Sequence, residues 1–223
     1  MARNLILFDI GGVLLVNTFS KFYEEAARQG GISPDDFKQA VIELEPDFTT
    51  DRISIPEYFH RLDAVIGRHL PDDEWKRIIN LCWDHPVPET ITLKQRLHEA
   101  GHAVGLFGDT PRLAHELLLR RYPEMFETFG GPQVFSYKVG YRKPASQMFE
   151  AVPTGYRVTL IEDKDSILTA AEAYGWQGIL IPTYRDESEA IMSYHASAEQ
   201  PRHPIARTAE EIGAQLSRLR IRV

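Results

Sequence analysis

Five short apolar runs punctuate the sequence, at residues 5–8, 103–107, 133–135, 158–161 and 178–181. Each is too short to be a helix and lacks the alternation of a half-exposed strand, which predicts strands buried on both faces. Helical patterns separate most of them. Residues 90–100 lead into the second run and 111–121 follow it, while 144–151 precede the fourth and 166–174 join the fourth to the fifth. Parallel strands linked by crossover helices satisfy such an order, and few other architectures do. The expected fold is α/β, a Rossmann-like doubly wound parallel sheet with helices on both faces.

Residues 17–88 break the alternation with about 70 residues that hold no strand pattern but four amphipathic stretches, at 19–29, 34–42, 56–66 and 72–82. They read as an all-helical domain inserted into a core formed by residues 1–16 and 89–223. Ser33 and Ser54 stand as N-caps just ahead of prolines, and Gly30, Gly31 and Gly67 fall where helix ends take a left-handed residue. Near the C-terminus a polar loop over 196–207 precedes Thr208-Ala209-Glu210-Glu211, a capping-box pattern that opens a final helix through Leu219. The basic run at 218–222 reads as a solvated tail.

Composition narrows the partners. A formal net charge of -7 with no basic face argues against nucleic acid. The apolar run at 5–8 is too short for a signal peptide or a membrane span, and the single cysteine, Cys82, reads as a packing residue. These features predict a cytoplasmic protein with no membrane partner. Oligomeric state is not encoded in any of these patterns.

In an open parallel sheet, functional groups collect beyond the carboxyl ends of the strands, near the point where strand order reverses. Asp9 follows the first run, Gly108 and Asp109 the second, and Glu162 and Asp163 the fourth, with Lys143 in the loop after the third. Four carboxylates on one rim repel each other unless a cation or a proton intervenes. Oxygen ligands of this kind suit Mg²⁺ together with a substrate phosphate, and an aspartate so placed can attack phosphorus.

The motif order then carries a resemblance. Leu5-Ile6-Leu7-Phe8-Asp9-Ile10-Gly11-Gly12-Val13-Leu14 is similar to the first motif of haloacid dehalogenase-like hydrolases, and 136–144 resembles the segment that carries that family's lysine. Leu160-Ile161-Glu162-Asp163 resembles its acidic metal motif, and Gly175-Trp176-Gln177-Gly178 the turn that follows. The resemblance implies a Mg²⁺-dependent phosphatase acting on a small phosphorylated metabolite through an aspartyl-phosphate. It assigns Asp9 and Lys143 to catalysis, Gly108, Asp109, Thr110 and Lys143 to substrate, and Asp9, Glu162 and Asp163 to the metal. The helical insertion takes the place of the family's cap.

Against that pattern, Gly11 stands where phosphatases of the family usually carry an acid/base aspartate, and Gly108 where a phosphate-binding Ser or Thr is usual, with Thr110 offering a hydroxyl two positions on. Ile167 stands where a metal-supporting acid or amide is usual, with Asp165 and Ser166 as substitutes. The departures predict slow turnover. Two rival readings follow: a catalytically impaired protein that binds a metabolite or partner in the same cleft, and a 2-haloacid dehalogenase-like enzyme. Asp109-Thr110-Pro111 also fits a helix start with Thr110 as N-cap, and His60, Trp83 and His85 fit packing better than substrate contact.

Overall fold

The computed structural model describes residues 3–16, 18–83, 85–181 and 202–223. Its sheet has five parallel strands in the order β5-β4-β1-β6-β7. These are β1 (Arg3–Phe8), β4 (Ala103–Gly108), β5 (Gly130–Phe135), β6 (Tyr156–Glu162) and β7 (Gln177–Leu180). Strand order reverses at β1, which lies between β4 and β6. The expected strands all appear, lengthened by one to three residues at one or both ends or, for β7, shifted one residue towards the N-terminus.

Successive side chains of a strand point to opposite faces, so β1 feeds two separate cores. Ile6 and Phe8 join one apolar cluster with residues of α5 (Pro88–Glu99), α6 (Arg112–Arg121) and α11 (Ala209–Arg218). Leu5 and Leu7 join the other, with residues of α9 (Ser146–Glu150) and α10 (Asp165–Glu172). Helices thus cover both faces, as expected. Two short helices also belong to the described core, α7 (Pro123–Phe126) and α8 (Ser136–Val139).

The stretch after β1 is helical: α1 (Phe19–Gly30), α2 (Pro34–Thr49), α3 (Ile55–Ile66), α4 (Asp72–Ile79) and a 3-10 turn over Asn80–Trp83. Ser33 caps α2 by accepting from the Asp36 N–H at 3.0 Å, and Ser54 caps α3 from Glu57 at 3.3 Å. Pro56 is the second residue of α3 rather than the first. Gly31 and Gly67 end α1 and α3 in left-handed conformation. Helix α2 runs seven residues past its expected end and through Pro46, its last turn carrying Phe48 and Thr49 into the interior.

A two-stranded antiparallel ribbon, β2 (Leu15–Val16) with β3 (His85–Pro86), joins this helical unit to the sheet. Just beyond it, Thr18 donates from its backbone to the Cys82 carbonyl at 3.0 Å and from its hydroxyl to Leu81 at 2.7 Å. The unit's apolar side chains merge with the cluster that holds Ile6 and Phe8. Polar bridges add to this contact: Arg112 to Asp51 at 2.5 Å, Arg142 to Glu45 at 3.4 Å, and the Ser136 hydroxyl to the Thr49 carbonyl at 2.7 Å.

Two expectations need correction. The run at 218–222 is no loose tail, since Ile221 is buried in the core and the Arg222 carbonyl lies 2.7 Å from His102 Nε2. Helix α6 has Pro111, not Thr110, at its N-cap, and no side chain caps it. The polar loop over 196–207 lies partly outside the described residues. From 202 onward it is held to the sheet, with Leu180 N–H donating to the Pro204 carbonyl at 2.9 Å.

Candidate active site

The chain leaves β1 through a tight turn. Leu14 and Leu15 both donate back to the Ile10 carbonyl, at 2.9 and 3.0 Å, and Gly12 takes φ +77°. A Cβ at Gly12 would lie 2.5 Å from Asp163 Oδ2, so only glycine lets the β6 loop close on the β1 loop. Gly11 is not among the left-handed glycines. This turn brings Asp9 and Asp163 together.

Asp9, Glu162 and Asp163 each offer a carboxylate oxygen, all within 4.8 Å of one another. Lys143 enters from the far side of the rim, its Nζ 3.1 Å from Asp9 Oδ1 and 2.5 Å from Glu162 Oε2. Both Glu162 oxygens are engaged by the protein, because Oε1 accepts the N–H groups of Asp163 and Lys164 at 3.0 and 3.2 Å. Glu162 is wholly buried, while Asp9 and Lys143 keep 8% and 9% of their surface.

Burial dominates the electrostatics. Desolvation, reinforced by the neighbouring Glu162 charge, pushes Asp9 from 3.8 up to about 7 despite Lys143. Desolvation also lifts Glu162 to about 7, against the pull of Lys143. Lys143 itself would be lowered by desolvation, but the Asp9, Glu162 and Asp109 charges hold it well above its ordinary value. One lysine cannot neutralise two buried carboxylates, so the cluster is short of positive charge.

Asp109 lines the cavity and is tied to the loop that carries the lysine. Its Oδ1 accepts the Lys143 backbone N–H at 2.9 Å, and Oδ2 lies 3.8 Å from Arg142 Nε. A Cβ at Gly108 would sit 3.1 Å from Asp9 Oδ1 and 3.0 Å from Thr110 Oγ1. The volume freed at position 108 is therefore bounded on one side by Asp9 and on the other by the Thr110 hydroxyl. Ile167 is a core residue, Ser166 is exposed, and Asp165 holds the C-terminal segment by accepting from His203 Nδ1 at 2.7 Å and from the Arg202 and His203 N–H groups.

A cavity of about 330 Å³ opens beside Asp9, between the sheet rim and the helical unit. Gly11, Asp109, Thr110, Lys143, Asp163 and Lys164 line its floor. Trp83, expected to pack, lines it as well, whereas His60 and His85 are exposed. Arg142, Glu45 and the aromatic side chains of α1 to α3 escape a sequence reading, since amphipathic spacing does not reveal which apolar residues border a space. A second depression, around Arg96 and Arg222, is far from the carboxylates along the chain and shares no lining residue with this one.

No family model and no curated protein matches the sequence. Solved structures do resemble the fold. A haloacid dehalogenase family enzyme from Bacteroides thetaiotaomicron, in complex with magnesium and inorganic phosphate, superposes with a TM-score of 0.68 at 18% identity, over 84% of this chain and 98% of its own. A phosphatase of the same family from Thermococcus onnurineus gives 0.61 at 17%, over 96% and 97%. An L-2-haloacid dehalogenase from Xanthobacter autotrophicus, with chloropropionic acid covalently bound, gives 0.63 at 12%, over 98% and 99%. Fold and rim together define an open α/β protein with an acidic site at the switch point. The chain has the fold of the haloacid dehalogenase superfamily.

Proposed function

We propose that the protein is a Mg²⁺-dependent hydrolase of small phosphorylated metabolites that works through an aspartyl-phosphate on Asp9. The observation that carries this reading is the convergence of Asp9, Asp163, Glu162 and Lys143 at the carboxyl end of the central strand, facing a cavity. Three clustered acids with one lysine fit a divalent cation, and burial raises two of these carboxylates, which a nearby positive charge would offset. Asp9 and Asp163 would hold the ion directly, with Glu162 in the same cluster fixing Lys143. When bound, Mg²⁺ supplies positive charge to the phosphate oxygens.

The chain's own residues divide the remaining work. An Asp9 carboxylate oxygen attacks phosphorus, the new P–O bond forms as the ester P–O bond breaks, and the oxyanion leaves. Water then attacks phosphorus, displacing Asp9 and releasing inorganic phosphate. Lys143 offsets the charge that builds beside Asp9, and Thr110 offers the phosphate a hydroxyl. A screen of phosphate esters with and without Mg²⁺ tests the proposal: turnover should need the ion and vanish in Asp9→Asn. Release of halide from a 2-haloacid without metal would instead favour the dehalogenase reading.

The absence of an acid at Gly11 supports a second reading, a protein that binds but does not turn over its ligand. Tight Mg²⁺-dependent phosphate binding with no turnover of any ester would select it.

A further inference from the structure

The two ends of the cavity differ in kind. Among the described residues, every cation that lines it, Arg142, Lys143 and Lys164, comes from the sheet rim. Of its described residues, the helical unit contributes Phe19, Phe22, Tyr23, Phe48, Tyr58 and Trp83, and a single charged side chain, Glu45, which lies 3.4 Å from Arg142. Phe48 and Tyr58 stack face to face at 3.7 Å between ring centroids, which makes this part of the wall rigid. A second phosphate would meet no positive charge on this wall. A sugar would bring more hydroxyls than the few polar atoms of Tyr23, Tyr58 and Trp83 could pair, which weakens binding. An uncharged ring is what such a wall accepts.

An independent observation concerns the leaving group. Gly11 lines the floor beside Asp9 and has no side chain to donate a proton. Among the described residues no histidine lines the cavity, and the acids outside the metal cluster are engaged, Asp109 by the Lys143 N–H and Glu45 by Arg142. An alkoxide departs poorly without a proton, whereas an aryl oxide departs as the anion.

Building on the hydrolase reading above, we infer that the substrate is an aryl phosphate monoester, its phosphate at Asp9 and its uncharged aromatic body against the helical wall. Attack by Asp9 transfers the phosphoryl group, the aryl–oxygen pair of electrons stays with the phenolate, and no proton moves in that step. Hydrolysis of the aspartyl-phosphate by water completes the cycle. The wall supplies affinity, and the missing acid supplies selectivity for the aryl ester.

The assignment is tested with 1-naphthyl phosphate, phenyl phosphate, hexyl phosphate and glucose 6-phosphate, using the whole chain with Mg²⁺. The kcat/KM should fall in that order, with hexyl phosphate at least about 10²-fold below phenyl phosphate. Gly11→Asp should narrow that gap by raising hexyl phosphate turnover, its backbone being outside the left-handed region. Independently of turnover, Asp9→Asn should bind 1-naphthyl phosphate at least about tenfold more tightly than inorganic phosphate, and Phe19→Asn in that background should remove most of the difference. Glucose 6-phosphate turned over as fast as phenyl phosphate, or equal affinity for naphthyl and inorganic phosphate, would overturn the aryl assignment while leaving a phosphatase in place. Tight naphthyl phosphate binding with no turnover of any ester would instead overturn the phosphatase reading and leave the aryl-binding wall standing.

Discussion

At the scale of single residues, the site works around missing side chains. A serine at position 108 would add a phosphate donor in open space, but here its Cβ would come within 3.0–3.1 Å of Thr110 Oγ1 and Asp9 Oδ1. The threonine already occupies the corner that a hydroxyl at 108 would use. Gly108→Ser should therefore lower phosphate affinity, and Thr110→Ala should lower it about tenfold by removing the donor. The double variant, which returns one hydroxyl to that corner, should recover most of the loss. Calorimetric titration of phosphate in the presence of Mg²⁺ reads all three; additive losses in the double variant would mean that the two positions do not share that corner, and an unchanged Thr110→Ala would place Thr110 outside the site.

Among elements, the loop that carries Lys143 depends on Asp109, whose Oδ1 accepts the Lys143 N–H at 2.9 Å. Asp109→Ala should weaken phosphate binding about tenfold although Asp109 need not touch phosphate, because it loosens the lysine; Asp109→Asn, which keeps the acceptor, should restore most of it. Competition by orthophosphate in an ester assay separates the two variants, and equal losses would deny the hinge-pin role. This role is invisible in the sequence, where Asp109 beside Thr110 and Pro111 reads as a helix start. Legibility tracks apolar content elsewhere too. Strands β1 and β4 can be read because their residues are buried on both faces, whereas β5 begins with Gly130, Gly131 and Pro132, which carry no hydropathy signal. Gly131 is there because a Cβ would collide with the Val104 backbone at 2.6 Å. Lys94 misleads for the opposite reason: it reads as a solvated helix position yet is buried, its ammonium donating to the Met125 carbonyl at 2.5 Å, and desolvation lowers it to about 8. The four rim positions are legible because they follow strand ends, while the aromatic wall is set by how α1 to α3 pack and has no local signature.

For the whole molecule, the buried acids link stability to pH. Asp9 rises from 3.8 to about 7 on folding. Below its ordinary value both folded and unfolded chains hold the proton. Between that value and about 7 the unfolded chain releases it first, so stability is lost as pH rises through this window and levels off above it. Metal-free Asp9→Asn should therefore gain in Tm over the wild type from pH 5 to 8. Mg²⁺ bound at the proposed site would displace the same protons, so the Tm increase it gives the wild type should grow across that interval, and Asp163→Asn should remove most of it. A wild-type response to Mg²⁺ that is flat with pH would contradict a buried Asp9. The position of β1 has a further consequence, for the order in which the chain can fold. The central strand pairs with residues as distant as Ala103 and Tyr156, so it emerges from the ribosome long before either neighbour. Until then Leu5–Phe8 presents two unpaired edges and an apolar sequence, the features that invite misassociation. The helical unit, synthesised next and rich in local contacts, can fold during that wait, and pairing of β2 with β3 would then bring β4 to its place, so the ribbon shortens the search that the sheet must make.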